Sequence, residues 1–140
     1  MRPTVLGAVS GCVWAVIAWV LLDQLEVNSL PIAASLLASP LIGILMSRFS
    51  KGFRERSILG RTVVALVTLY FAAALFGSVG GMVDLVSSLG MRPVVEPITT
   101  AWVFVWGLTF SGYFLVLWPL SYLNHLFVAR SYPGQFTESP

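Results

Sequence analysis

Long apolar stretches lie on both sides of one basic segment, and that arrangement leaves few folds open to this chain. The segment, residues 48–61 (RFSKGFRERSILGR), sets Arg48, Lys51, Arg54, Arg56 and Arg61 against a single acid, Glu55, for a formal charge of +4. Each flank holds two runs close to the roughly 20 apolar residues that a helix needs to cross a hydrocarbon core of about 30 Å. Charged residues make up only 10% of the chain, against about 25% in a soluble domain, and 57% of residues are hydrophobic. The pattern predicts an all-α integral membrane protein, an up-down bundle of four transmembrane helices. The helices fall near 4–22, 30–47, 62–83 and 100–123, the last with room to continue to 129. Residues 1–130 form a single domain and 131–140 a short polar tail.

Positive charge next to membrane spans is retained on the cytoplasmic side. With the basic loop inside, the inner segments carry Arg2, Arg48, Lys51, Arg54, Arg56, Arg61 and Arg130, and the outer connections carry only Arg92. The expected topology therefore has both termini cytoplasmic, in a bacterial inner membrane. Within the loop, Phe49, Phe53, Ile58 and Leu59 interleave with the arginines, which predicts a short helix on the inner leaflet with arginines on lipid phosphates and phenylalanines below them. The basic balance implies no nucleic-acid partner, because neither zinc-ligand spacing nor aromatic–basic interleaving accompanies it.

Small residues recur every four positions in three of the spans: Gly7, Gly11 and Ala15; Ser35, Ser39 and Gly43; Ala73, Gly77 and Gly81. Such stripes let helix backbones approach closely, within one protein or between copies. A larger side chain at Gly77 is expected to be harmful, and leucine at Ala65 or Val67 milder. Pro40 removes a hydrogen bond in mid-span two and predicts a kink there. Tyr70 is a polar group deep in span three that needs a partner for its hydroxyl. Asp84 falls just beyond the apolar part of that span, and Val83 to Leu89 read as its interfacial continuation. Pro93 and Pro97 bracket an extended Val-Val-Glu piece.

Chemistry-bearing residues are few. Cys12 is the single cysteine and His125 the single histidine. Cys12 reads as a small buried hydrophobe within the first span, which has no small-x-small exit and reads as a retained helix rather than a cleaved signal. His125 is the one candidate cofactor residue, a ligand for haem or a chlorin. Bound lipids are the other expected cofactors. Ser121, His125 and Asp84 would make a triad only on paper, since they belong to opposite ends of the bundle. No Asp, Glu, Lys or Arg lies in the central third of a span, where a proton-coupled pump keeps its charge. The sequence thus predicts no enzyme.

In layout, four spans in a short chain, the sequence resembles the small multidrug-resistance transporters. Its first span lacks the acidic residue their antiport requires, so the resemblance carries no residue across. Two classes of function follow. One is an assembly subunit of a larger membrane complex, such as an energy-transducing or photosynthetic one, with other membrane subunits or copies of itself as partners. The other is a small oligomeric transporter or channel. The topology itself makes a direct prediction. In a Cys12→Ala background, a cysteine at Ser50, in the basic loop, labels from the cytoplasmic side and one at Ser88 from the outside. Labelling of the loop from outside sealed cells reverses the assignment.

Overall fold

The computed structural model describes residues 2–23, 29–88 and 95–132. The expected outer turn at 24–28, the segment 89–94 and the tail from 133 lie outside the described residues. The fold is all-helical: α1 Pro3–Asp23, α2 Ser29–Ser47, α3 Ile58–Ser87, α4 Glu96–Phe110 and α5 Phe114–Ala129. Three of these, α1, α2 and α3, are long and apolar enough to cross a membrane, and α4 with α5 makes a fourth span if that bent pair counts as one. On α1, Val5, Val9, Val13, Val16 and Val20 form an exposed apolar stripe, opposite the buried Leu6, Gly7, Ser10 and Gly11. Cys12 is exposed beside that stripe, not buried as expected.

The glycine stripes are helix contacts inside the chain. A Cβ on Gly11 would stand 2.2 Å from the Ser39 carbonyl oxygen, and one on Gly43 would stand 2.2 Å from that of Gly7. α1 and α2 therefore pack backbone to backbone, and α2 continues through Pro40 as one helix. Gly77 and Gly81 do the same for α3 and α4, against Thr100, Ala101 and Pro97. Ser35 seals the α2–α3 seam by donating its hydroxyl to the Phe76 carbonyl at 2.8 Å. The order of packing is α1–α2–α3–α4, and α1 and α4 make no extended contact with each other.

Two expectations fail in instructive ways. Span four is not one helix over 100–123. The chain turns by 102° between α4 and α5, where Gly112 takes φ +75° one residue beyond the helix-capping Ser111. A left-handed glycine just past a helix end is the usual way to stop a helix. Neither half, at 15 and 16 residues, reaches the length a straight crossing requires. Glu96 and Pro97 belong to the first turn of α4, so the extended piece expected there is helical from Glu96, and proline at this position gives up no intrahelical bond. α3 does continue past 83, to Ser87.

The basic loop is the second departure. After one 3-10 turn, Arg48–Ser50, it runs through turns until Ser57 caps α3 by accepting from the Gly60 amide at 3.2 Å. Phe53 is fully buried in the protein, not dipped into lipid, while Phe49 stays exposed. The start of α1, the loop and Tyr132 share one end of the bundle: Gly7 packs on Ser47, and Tyr132 donates to the Ser47 carbonyl at 2.8 Å. The tail is thus held at its first residues.

These contacts set a controlled comparison. Gly43→Ala forces a methyl into backbone and is expected to lose about 1–3 kcal/mol of stability by overpacking. Gly107→Ala, with nothing within 4 Å of the new methyl, is expected to be neutral or slightly stabilising. Unfolding in detergent measures both. Leucine at Gly77 is expected to be disruptive and at the exposed Val67 mild, but Ala65 is fully buried and leucine there belongs with the damaging changes.

Candidate functional site

Ser121, His125 and Val128 recur at helical spacing on one face of α5, and all three are buried. Because α5 turns away from α4, this face lies across the N-terminal halves of α1 and α3. Ser121 Oγ donates to the Ala65 carbonyl of α3 at 3.0 Å. Asn124 Oδ1 accepts from Ser10 Oγ of α1 at 2.8 Å. One short helix so ties α1 to α3, and the Ser10–Asn124 bond joins residues 114 positions apart in the chain.

His125, 2% exposed, is the centre of this arrangement. Its Nδ1 is 2.8 Å from Ser50 Oγ and its Nε2 is 2.6 Å from Thr68 Oγ1. Thr68 Oγ1 is also 2.7 Å from the Val64 carbonyl, and a hydroxyl has one proton. Given to that carbonyl, the proton leaves Thr68 as acceptor for Nε2–H, and Nδ1 then accepts from Ser50. A neutral imidazole satisfies every partner. Phe53 stacks on the ring with centroids 5.1 Å apart and meets Tyr122 edge-on at 5.4 Å. Gly52 at φ +66° turns the loop so that Phe53 points inward. Arg61 fastens the other side, with Nε donating to the Arg56 carbonyl at 2.9 Å and Nη2 to that of Arg54.

Above α5 lies a cavity of about 410 Å³. Trp14, Ile17 and Ala18 of α1 form one wall, and Val103, Phe104 and Gly107 of α4 form another. The floor is polar, with Ser10, Thr68, Ser121, Asn124 and His125. Ser39 and Gly43 reach it from α2, and Leu69, Ala73 and Phe76 from α3.

The structure brings Gly7, Gly11, Ser39 and Gly43 together at the α1–α2 contact, with Ser35 at the next seam, and Gly77 and Gly81 at the α3–α4 contact. Ala73 lines the cavity, and Ala15 is half-buried. Of the basic set, Arg48, Lys51 and Arg56 are exposed, whereas Arg54 and Arg61 are half-buried. Tyr70 finds its partner in Thr109, 3.2 Å away. The reading from sequence missed Ser10, Ser50, Thr68 and Asn124. A signal was present: Ser121 and His125 are four residues apart, so they share a helix face, and Thr68 is polar within span three.

Haem or chlorin ligation does not fit these residues. Both nitrogens of His125 are engaged by hydroxyls, and no ring lone pair is presented to the cavity. His125 ties the loop and α5 to α3. Ser50→Ala and His125→Ala are each expected to destabilise by about 1–3 kcal/mol, because each leaves a buried polar group unpaired. A double-mutant cycle between them is expected to show a coupling of about 0.5–3 kcal/mol. Both variants are also expected to speed proteolysis within 51–57.

Comparison with protein-family models, with curated proteins and with solved structures finds no match for this chain. By its helices, it is a small all-helical, multi-span membrane protein.

Proposed function

We propose that this chain is a non-catalytic assembly subunit that holds neighbours together within a larger membrane complex. The observation that carries this reading is that the serine hydroxyls of the α2 stripe are bonded within the protein. A conducting path along the α2 stripe would need its hydroxyls turned toward water. Ser35 instead donates to the Phe76 carbonyl, and Ser39 donates to the Ser35 carbonyl at 3.0 Å. Both serines are buried, and α1 packs on Gly43 beside them. A further support stands at the end of the bundle away from the basic loop. There Val86, Val95 and Ile98 are exposed around the junction of α3 and α4, an apolar patch suited to cover by a partner or by lipid.

The cavity favours a second reading, a small oligomeric transporter or channel, because ligand sites are concave and apolar with a few placed polar groups. Two measurements on the full chain separate the readings. Purification from native membranes in mild detergent is expected to yield a stable complex with other membrane chains. The isolated protein in liposomes is expected to be silent. Saturable solute flux through the isolated protein contradicts the assembly role.

A further inference from the structure

We infer that the cavity is a binding site for a neutral amphiphile with one hydrocarbon chain and a small hydrogen-bonding head. This assignment is independent of the assembly role. The walls fit the chain: Trp14, Ile17, Phe76, Phe104 and Leu117 are apolar, and among the described residues no Lys, Arg, Asp or Glu lines the space. An anionic headgroup therefore meets no cation, and a cationic one no carboxylate, so charge is excluded by its desolvation cost. The head belongs at the floor. Asn124 gives its carbonyl oxygen to Ser10, and its amide hydrogens have no protein acceptor among the described residues. They are donors suited to a carbonyl or hydroxyl oxygen of the ligand, and the remaining lone pairs of Ser121 Oγ, which donates its proton to Ala65, suit a hydroxyl hydrogen.

Size decides between a small amphiphile and a helix of another protein. A crossing helix about 10 Å wide and 30 Å long fills roughly 2,400 Å³. The cavity, at about 410 Å³, holds a fraction of that and falls in the range of small-molecule sites. Access is lateral. α1 and α4 make no extended contact, and Gly107 on the α4 wall has open space where a side chain would stand. A chain enters from the hydrocarbon region between them without crossing a polar surface.

The test uses the full chain in phosphatidylcholine nanodiscs, titrated with a monoacylglycerol brominated at mid-chain, which quenches nearby tryptophan. Saturable quenching is expected, with most of it lost in Trp14→Phe, and native mass spectrometry is expected to count one ligand per chain. Gly107→Leu fills the space and is expected to weaken binding at least tenfold with the melting temperature unchanged. Ala72→Leu, also on the lining, serves the same purpose should the first variant not fold. Asn124→Leu is expected to weaken monoacylglycerol at least fivefold but leave a bromoalkane unaffected, a split that general damage to the fold does not produce. Displacement of the probe by an unbrominated monoacylglycerol or by an isoprenoid quinone identifies which source of this chemistry the site prefers. The assignment is overturned if quenching does not saturate, if folded cavity-filling variants bind as well as the parent, if a brominated fatty-acid anion binds equally, or if cross-linking from Gly107 captures a partner helix instead.

Discussion

Gly112 holds a φ of +75°, a backbone region that costs a residue bearing a Cβ roughly 1–2 kcal/mol. Beyond it α5 departs from the line of α4 by 102°. Had α4 continued straight, residues 121–125 would have passed beyond the N-terminal end of α3. Instead they reach Ala65 and Thr68. The turn thus creates both features that distinguish this bundle, the clamp around His125 and the polar floor of the cavity. It also leaves α1 and α4 apart, because the helix that would have closed the ring lies across its end.

Turning a helix across a membrane bundle places polar side chains where water cannot serve them, and an unpaired group in hydrocarbon is expensive. The chain meets this constraint with short hydroxyl side chains. Ser10, Ser50 and Thr68 sit on three different elements and each pairs with a group on α5, while Ser121 of α5 donates to Ala65 of α3. The basic loop is drawn into the same network through Ser50 and Phe53. Its positive charge is therefore carried on a segment anchored from within, with Arg48, Lys51 and Arg56 left exposed at the end of the bundle. Trp118 is the exception: its buried Nε1 has no partner among the described residues, and nothing in the structure explains it.

The spans before and after the basic loop were legible because apolar length is a property of the sequence itself. The stripes were legible because four-residue spacing puts Gly7 with Gly11 and Gly77 with Gly81 on one helix face, whatever the partner is. Which helix fills each stripe was not legible, since small residues specify closeness and not identity. The broken fourth span escaped because the run from Trp102 to Leu123 stays apolar through Ser111 and Gly112, and hydropathy does not register a φ angle. Gly112 is the stop signal, and its apolar surroundings do not mark it as one. His125 drew attention as a lone ligand because chemistry-bearing residues are scarce. Its role depends on Ser50 and Thr68, which are distant in sequence and meet it only after the turn.

The turn of α5 is the claim on which the clamp and the cavity both depend, and one distance tests it. Spin labels at Val103 and Leu123, both exposed, report the span from α4 to α5 in the Cys12→Ala chain reconstituted in lipid. With the bend, helix rise places the two backbones about 20 Å apart, whereas a continuous helix separates them by about 30 Å. A narrow distribution near the shorter value is the predicted result. One centred near the longer value would contradict the turn, and with it the placement of His125 between Ser50 and Thr68.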